Sequence, residues 1–455
     1  MVTNPLGGQR IRTFNAQGQV VTDTDENGKT TTFTYDVKGN LETLTNAEGH
    51  VTRFVRDAAG NVTSLIEGEG TAESRTRAFT YDPMNRLTSA TDGTAAVTQF
   101  AYDALGNLAI TTLPTGEQEI RTYDPMNRVA SINDPLRGLT TFTYDANGNL
   151  IRSENALNDP TTFAYDAADQ LQTITDALAG LQAFGYDVEG NVQTFTDARG
   201  KTTTFEYDKL NRQTKRLAPG GTFTTLFTYD KRDNLKTTTD PKGQLITRVY
   251  DNNSRLTSIT SPDNTITIGY DAVGNPTGVT DADSQVTFSY DGLNRVKAAF
   301  TSQSAGIQPQ VLLTNVYDAV GNRTQLDEDS GTSVTAFAFD EAGRLTTLTP
   351  PAGPALNVTL GYDPSGRLSN IAYPNGVMTA YGYDVKGRLS SLSHTQGANP
   401  SFASFGYTYN PVGNILAILD QVTPSENRSH TYDALQRLKT GGTTGGTSIR
   451  GQICC

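Results

Sequence analysis

Cysteine is almost missing from this 455-residue chain, since Cys454 and Cys455 are its only cysteines and its last two residues. No internal disulfide can form, so packing and backbone hydrogen bonds must hold the fold. Tryptophan is absent, and the only histidines are His50, His394 and His430. These histidines lie far apart, without the close spacing of a metal site, and we interpret them as surface residues.

Charge and long apolar runs are also scarce. Charged residues make up 18% of the chain, and 36 basic against 48 acidic residues give a net charge of −12. This balance disfavours nucleic acid, whose binders carry concentrated basic patches. No apolar run approaches the length of a membrane span, and residues 1–14 lack the apolar core of a signal peptide. We therefore expect no nucleic acid partner and no membrane span, with export by another route or through a segment outside this chain.

The chain instead repeats one seven-residue phrase, Tyr-Asp-x-x-Gly-Asn-Leu, which is complete at Tyr144–Leu150 and returns about every 21 residues. Such a period indicates the fold and says little about chemical activity, because each repeat is one supersecondary unit that packs on its neighbours. The tyrosine position of the twenty copies falls at residues 14, 35, 56, 81, 102, 123, 144, 165, 186, 207, 229, 250, 270, 290, 317, 339, 362, 383, 409 and 432.

Each copy carries the residues of a tight turn. The residue after the tyrosine position is Asp or, in two copies, Asn, whose side chain accepts a hydrogen bond from the backbone two residues later. The residue three positions after this Asp or Asn is Gly in twelve copies and Asn in four. These two residue types adopt left-handed backbone angles at the lowest energetic cost. The pattern predicts a type I turn closed by a bulge. We expect looser or slightly strained turns in the four copies with another residue there, which are Asp169, Asp233, Ser254 and Gln436.

The flanks of the turn predict strands. Phe142 and Tyr144 alternate with threonines before it, and Thr-rich stretches follow it. Leu171 and Ile174 are three residues apart, which predicts a bulge, a strong twist or cover on both faces. A second turn, seen at Asp197–Gly200, reverses the chain again. Each unit is thus two strands and two turns.

These units predict an all-β fold of tandem antiparallel β-hairpins that form a long curved or spiralling ribbon. Residues 1–439 form one repeat region of about twenty units, because the unbroken period overrides any division expected from length. Residues 440–455 are Gly/Thr-rich and are predicted to be a disordered tail. We also expect the open edge after the last unit to invite pairing, so that the chain is a piece of something larger.

The sixth position of the phrase alternates between Asn and Arg from Asn61 to Arg344, broken only by Gln170. A row of arginines along one rim could hold an acidic cargo. Long side chains at a turn edge more often cover surface and form ion pairs. We therefore predict a salt-bridged or solvated rim.

No motif predicts a catalytic centre. Asp23–Gly28 opens like a calcium loop, but the twelfth position is Thr34 instead of a bidentate Glu, so we interpret the match as chance. No Gly-x-Ser-x-Gly elbow or phosphate-binding loop occurs. The stretched period predicts loops at 67–76, 303–310 and 394–401, none with a chemical motif. We assign no catalytic, cofactor-binding or metal-binding residue and expect no cofactor; the ligand-binding residues stay open.

The tyrosine row is the strongest candidate for binding, because Tyr and Asn near turns can stack on sugars and hydrogen-bond to them. The alternative is that the rings pack between neighbouring hairpins. Phe14 and Phe339 occupy the same position, which suggests that the hydroxyl is dispensable and favours packing.

Tyr-Asp-x-x-Gly-Asn/Arg-Leu with Thr-rich flanks resembles the YD repeat of rearrangement-hotspot (RHS) proteins over nearly the whole chain. That family includes toxin-complex shell subunits, bacterial polymorphic toxins and teneurins. The resemblance implies a β-hairpin strip that spirals into a hollow shell, which encloses a C-terminal toxin in the bacterial members. Wall-associated members have been linked to carbohydrate or cell-surface binding.

The resemblance therefore implies a non-enzymatic, secreted or cell-surface protein, part of an RHS-type shell that encapsulates or presents a toxin or other cargo. The expected partners are a cargo polypeptide or further RHS segments, and the alternative is a carbohydrate-binding or adhesion repeat protein. The bacterial shells have an Asp-Pro-x-Gly motif near the site where the toxin is cut free. Asp240–Gly243 matches this motif only superficially, because it occupies an ordinary second turn of a repeat. We therefore do not infer self-cleavage for this chain from the resemblance.

Overall fold

A computed structural model of the chain describes residues 1–303, 310–328, 331 and 333–443. These residues form 41 β-strands in one open sheet, with two short 3-10 segments at Pro354–Leu356 and Pro424–Glu426 and no α-helix in the described ranges. The predicted all-β hairpin ribbon is confirmed. Within the described residues, no helix has the length and apolar character needed to span a membrane.

The strands are mostly five to eight residues long. The first twenty are β1 Val2–Thr3, β2 Gln9–Phe14, β3 Val20–Thr24, β4 Thr30–Tyr35, β5 Leu41–Thr45, β6 Val51–Arg56, β7 Val62–Glu69, β8 Arg75–Tyr81, β9 Leu87–Thr91, β10 Val97–Tyr102, β11 Leu108–Thr112, β12 Gln118–Tyr123, β13 Val129–Asp134, β14 Gly138–Tyr144, β15 Leu150–Glu154, β16 Pro160–Tyr165, β17 Leu171–Thr175, β18 Leu181–Tyr186, β19 Val192–Thr196 and β20 Thr202–Tyr207. The others are β21 Gln213–Leu217, β22 Thr224–Tyr229, β23 Leu235–Thr239, β24 Leu245–Tyr250, β25 Leu256–Thr260, β26 Thr265–Tyr270, β27 Pro276–Thr280, β28 Ser284–Tyr290, β29 Val296–Gln303, β30 Val311–Tyr317, β31 Arg323–Glu328, β32 Ser333–Phe339, β33 Leu345–Thr349, β34 Val358–Tyr362, β35 Leu368–Ala372, β36 Val377–Tyr383, β37 Leu389–Gln396, β38 Ala403–Tyr409, β39 Ile415–Asp420, β40 Arg428–Tyr432 and β41 Leu438–Thr443.

A bulge recurs beside the turn that follows the tyrosine position, hereafter the Tyr-Asp turn. Between β16 and β17, Ala164 pairs with Thr173 but Tyr165 pairs with Leu171, so one residue of β17 is left unpaired. The same register shift recurs between β14 and β15 and between β18 and β19. The extra residue explains the three-residue spacing of Leu171 and Ile174, and the predicted bulge is confirmed.

No hydrophobic side chain is fully buried among the described residues. The large apolar side chains of these residues are half-buried or exposed. Cross-strand pairs supply the contacts, as in the Phe184–Phe195 ring pair with 5.1 Å between centroids and the Thr34–Thr43 hydroxyl pair at 2.6 Å. Backbone ladders and cross-strand pairs therefore stabilise this protein in place of a closed core.

The described residues divide into two compact units. Unit 1 contains Met1–Arg86, Thr91–Ala95 and the chain from Phe205 to Pro354; unit 2 contains Leu87–Ala90, Ala96–Thr204 and the chain from Ala355 onward.

The three stretches of irregular period have different outcomes. At 67–76 the extra residues lengthen β7 to eight residues, and at 394–401 they lengthen β37, which ends at Gln396. Most of the 303–310 loop lies outside the described residues. In the predicted tail, β41 extends to Thr443, and the rest lies outside the described residues.

Candidate functional site: the rims of the turns

The aspartate of each Tyr-Asp turn organises the backbone around itself. In the turn at Asp145, one carboxylate oxygen accepts hydrogen bonds from the backbone N–H groups of Asn147 at 2.9 Å and Asn149 at 2.8 Å. The backbone N–H of Gly148 donates to the carbonyl of Asp145 at 3.2 Å, and φ of Gly148 is +99°. A short side-chain acceptor and one left-handed residue thus define the predicted turn.

These hydrogen bonds favour the charged form of the carboxyl group. The pKa of Asp36 lies below its ordinary value because its carboxylate accepts from the side-chain amide of Asn40 and from backbone N–H groups. In Asp208 the side-chain hydrogen bond from Arg212 has the same effect. Both shifts follow from stabilisation of the anion by donors, so these carboxylates stay ionised and serve the turn.

The four irregular turns are as tight as the others. Asp169, Asp233, Ser254 and Gln436 all have left-handed φ, between 58° and 67°. Their backbone N–H groups close the turn onto the preceding Asp carbonyl at 2.9–3.2 Å, as in the glycine turns. The expectation of looser turns is wrong, because the aspartate hydrogen bonds fix the backbone whatever the left-handed residue is. What remains is the steric penalty of a Cβ in that region.

The tyrosine hydroxyls link neighbouring repeats. The hydroxyl of Tyr144 donates to the carbonyl of Val129 at 2.9 Å, and that of Tyr165 to Leu150 at 3.0 Å. Fifteen residues separate donor from acceptor in both pairs. Similar bonds to the preceding repeat are made by Tyr35, Tyr81, Tyr102, Tyr123, Tyr186, Tyr229, Tyr250, Tyr270, Tyr290, Tyr317, Tyr383, Tyr409 and Tyr432.

The hydroxyl therefore has a structural role in the copies named above, and the view that it is dispensable needs correction. Phe14 and Phe339 show only that single copies can do without it. Burial raises the pKa of Tyr186, which keeps its hydroxyl protonated and able to donate. Because both ring and hydroxyl serve packing between repeats, the packing interpretation of the tyrosine row is favoured over sugar stacking.

The arginine row is salt-bridged. Each arginine at the sixth position pairs with the aspartate four residues earlier at 2.6–2.7 Å, and the pairs are Arg86–Asp82, Arg128–Asp124, Arg212–Asp208, Arg255–Asp251, Arg295–Asp291, Arg344–Asp340, Arg367–Asp363, Arg388–Asp384 and Arg437–Asp433. Six of them also lie over the tyrosine ring of the next repeat at 4.2–4.8 Å, as Arg128 does over Tyr144. The predicted salt-bridged rim is confirmed.

In several copies with Asn at the sixth position, its amide reaches the left-handed residue of the next repeat. Asn149 donates to the carboxylate of Asp169 at 2.8 Å, and Asn275 donates to the side-chain oxygen of Asn294 at 2.9 Å. Where it is Arg, the guanidinium lies over the next turn, and a Cβ added at Gly387 would clash with Arg367. The sequence contains a signal for this coupling that sequence reasoning missed. An Asn at the sixth position is usually followed, one repeat later, by a polar left-handed residue, whereas an Arg there is usually followed by a left-handed Gly.

Each unit also brings together stretches that are far apart in sequence. In unit 1, connecting turns, which are the second turns of each repeat, lie against later Tyr-Asp turns about 244 residues away. We call this row of contacts the seam of unit 1. Its contacts are Asn27 to Asp271 at 2.9 Å, Glu48 to the backbone N–H of Gly292, and Arg75 to the carbonyl of Val320 at 3.0 Å.

Unit 2 has a seam of the same kind, with separations of 250 to 277 residues. The hydroxyls of Thr115 and Ser365 meet there, and Asp159 accepts from Gln436 at 2.7 Å. Glu117, only 7% exposed, pairs with Arg367 at 2.7 Å. The pKa of Glu117 is lowered, because hydrogen bonds from Thr115 and Arg367 together outweigh desolvation, the largest single influence, which acts to raise it. The seam therefore contains a buried, paired charge.

The remaining candidate motifs of the sequence form ordinary turns. In the calcium-like loop, Asp25 accepts from the backbone N–H groups of Asn27 and Lys29, as any turn aspartate does. Asp240 accepts from the backbone N–H groups of Lys242 and Gln244 at 2.8 Å, so Asp240–Gly243 is an ordinary connecting turn.

Cavities of about 450 Å³ in unit 1 and about 300 Å³ in unit 2 lie beside the seams. The described residues contain no His, Cys, Asp and Glu cluster suited to a metal ion.

This geometry is that of a ribbon of tandem hairpin repeats, and the sequence comparisons agree. The RHS Repeat profile matches residues 14–51, 144–180, 186–222, 229–266, 270–304, 317–355 and 362–398, more than half of the chain. The chain therefore belongs to the RHS repeat family. The Teneurin YD-shell profile matches residues 48–159. No curated protein sequence matches this chain.

Solved structures share the fold. The crystal structure of TcdB2-TccC3 without its hypervariable C-terminal region is 14% identical, with a TM-score of 0.75, and the match covers 95% of this chain and 32% of that one. The Photorhabdus luminescens Tc holotoxin pore is 14% identical with a TM-score of 0.74 and the same coverage. The chain thus spans about a third of the length of these structures.

Proposed function

We propose that this chain is a non-catalytic wall segment of an RHS-type β-shell that encloses or presents a polypeptide cargo, in a protein that is secreted or displayed at a cell surface. The observation that carries the proposal is the seam in each unit. Stretches of ribbon about 250 residues apart meet rim to rim, so a single layer of sheet is extended sideways into a wall. A toxin or further RHS segments are the partners of such a wall.

The chemistry of the turns supports enclosure over direct binding by the arginine row. Those arginines are held by aspartates and by tyrosine rings, so a cargo that they gripped would have to compete with intramolecular partners. The turn carboxylates accept from their own backbone, which is a structural task. Neither set supplies the nucleophile, base and oxyanion donors of a catalytic site.

The test is protease protection of cargo. The natural polypeptide that contains this region should be expressed whole and treated with protease, and its non-RHS segments followed by mass spectrometry. Enclosure predicts that a cargo segment survives in the native protein. Glu117→Ala should open the seam of unit 2 and expose the cargo, whereas Glu189→Ala, on an exposed Tyr-Asp turn, should not.

A cargo degraded as fast in the wild-type protein as when expressed alone would contradict enclosure. Glycan-array binding that disappears on replacement of exposed tyrosines, with no protected segment, would instead favour the carbohydrate-binding alternative.

A further inference from the structure

The chain contains three Asn-Gly pairs, at residues 27–28, 147–148 and 375–376. An asparagine before glycine is especially prone to spontaneous deamidation, because glycine has no side chain to hinder attack by its backbone nitrogen on the asparagine side chain. In all three pairs both residues are exposed, and the glycine has a left-handed φ between 76° and 99°. The pairs differ in the contacts of the asparagine side chain.

The pair at 27–28 lies on the seam of unit 1. The side-chain amide of Asn27 donates to the carboxylate of Asp271 at 2.9 Å, although the two residues are 244 positions apart. That carboxylate begins a Tyr-Asp turn, where it also accepts from the backbone N–H groups of Gly274 and Asn275 at 2.8 Å. The seam contact therefore depends on an amide donor that faces a carboxylate.

The other two pairs lie in unit 2 and serve as internal comparisons. The side-chain amide of Asn147 donates to the carboxylate of Asp169, in the next repeat, at 2.9 Å. The side-chain oxygen of Asn375 accepts from the backbone N–H of Val377 at 3.1 Å. Both contacts are local in sequence, so a reaction at either pair leaves the seam of unit 1 untouched.

The folded turn holds back the reaction at Asn27. The backbone N–H of Gly28 donates to the carbonyl of Asp25 at 2.9 Å, and the backbone N–H of Asn27 donates to the Asp25 carboxylate at 2.9 Å. Ring closure brings the Gly28 nitrogen onto the Asn27 side chain, which breaks the first bond and releases the amide from Asp271. The reaction therefore starts from an opened turn, at a rate set by how often this part of the seam opens.

We propose that Asn27 is a deamidation site whose product hinders the seam of unit 1 from closing again. The backbone nitrogen of Gly28 attacks Cγ of Asn27, and the amide nitrogen leaves as ammonia with the proton that the Gly28 nitrogen gives up. Water then opens the resulting succinimide. Attack of water at Cγ gives aspartate, and attack at the main-chain carbonyl of the former asparagine gives isoaspartate.

Both products add a carboxylate to this turn. In aspartate the new carboxylate faces Asp271, so repulsion between two like charges replaces a hydrogen bond. Isoaspartate also adds a methylene group to the backbone, which displaces the N–H groups that donate to Asp25. Because ammonia is lost, an opening that leads to the succinimide leaves the seam permanently weaker. This inference concerns the ribbon itself and does not rest on the proposed enclosure.

Incubation of the full chain at mildly alkaline pH, followed by peptide mapping and hydrogen exchange, tests the proposal. Asn27 should convert to aspartate and isoaspartate, more slowly than Asn375. In the converted protein, the Gly292 N–H, which donates to Glu48 across the seam, should exchange about tenfold faster, a factor that corresponds to about 1.4 kcal/mol. Asn27→Gln keeps the amide but cyclises far more slowly, so it should retain slow exchange after the same incubation.

Direct substitution separates charge from incubation. Asn27→Asp should speed exchange at Gly292 as conversion does, whereas Asn147→Asp, which adds the same charge in unit 2, should leave it unchanged. Asn27→Asp combined with Asp271→Asn restores an amide–carboxylate pair with donor and acceptor exchanged, and should return exchange to the parent rate. Asn410 already begins a Tyr-Asp turn in this chain, so the turn tolerates this double change.

Circular dichroism should show that each variant is folded. Asn27 that converts faster than Asn375, or that stays unchanged after Asn375 has converted completely, would overturn the proposed site. Unchanged Gly292 exchange in Asn27→Asp, failure of the double variant to restore it, or equal acceleration of amides throughout unit 2 would overturn the effect on the seam.

Discussion

At the scale of the residue, one aspartate per repeat organises the Tyr-Asp turn. In the turn at Asp384, one carboxylate oxygen accepts from the backbone N–H groups of Lys386 and Arg388 at 2.9 Å, and the other accepts from the Arg388 guanidinium at 2.8 Å. That arginine then lies over the ring of Tyr409. One side chain thus connects a turn, an ion pair and the next repeat.

Replacement of Asp384 should separate these contributions. Asp384→Ala removes every acceptor, and we expect a loss of about 1.5–3 kcal/mol in the free energy of unfolding, typical of hydrogen bonds to a charged group. Asp384→Asn keeps an oxygen for the backbone but loses the charge, so it should lose less. Denaturant titration measures both. Equal losses would show that the ion pair, and not the backbone acceptor, holds the turn.

The depressed pKa values predict the direction of pH dependence. Backbone hydrogen bonds from Arg86 and Met84, together with the Arg86 side chain, lower the pKa of Asp82, and the Asn40 amide and backbone lower that of Asp36. Because each folded pKa lies below the unfolded value of about 3.9, the stabilisation is fully present above that value. It is lost as the pH falls through the folded pKa.

Melting temperature measured between neutral and acid pH should therefore be nearly flat above about pH 5 and fall steeply below about pH 4. A melting temperature that rose on acidification, or began to fall near neutrality, would contradict this assignment of the turn carboxylates.

At the scale of the element, the hairpin is specified by its turns and its bulge. The phrase of Tyr144–Leu150 was sufficient to predict strand, turn and left-handed residue, because all three are local. Coupling between repeats was missed because it joins residues about twenty apart, as with Asn149 and Asp169. A single repeat gives no reason to compare its sixth position with the fifth position of the next repeat.

The left-handed positions give a direct test at this scale. Ala179 closes a connecting turn at φ 63°, where a Cβ is unfavourable. Ala179→Gly should therefore raise the free energy of unfolding by about 0.5–1 kcal/mol, after allowance for the greater freedom of glycine in the unfolded chain. Ala177→Gly, in the same turn but outside the left-handed region, should lower it. Thermal or denaturant unfolding compares the pair, and a stabilising Ala177→Gly would contradict the explanation.

At the scale of the whole molecule, the seams in the two units were beyond sequence reasoning. Which turns meet depends on the twist accumulated over more than twenty strands, and a small change per hairpin would move the contact to another turn. Glu117 and Arg367 illustrate this, because neither differs obviously from other turn residues in sequence, yet their pairing at a distance of 250 residues buries the carboxylate. The repeat predicts a ribbon, but only the structure shows where it meets itself.

Disulfide trapping across the seam of unit 2 tests this account most directly. Thr115→Cys and Ser365→Cys replace two hydroxyl groups in contact, in a chain whose Cys454 and Cys455 are changed to Ser. The account predicts rapid oxidation of the native protein to one intramolecular disulfide, seen as a mobility shift on a non-reducing gel and as a linked peptide in mass spectrometry. Thr115→Cys paired with Ser153→Cys, which does not face the seam, should stay reduced. Failure of the 115–365 pair to link in folded protein would contradict the claim that this ribbon returns to itself.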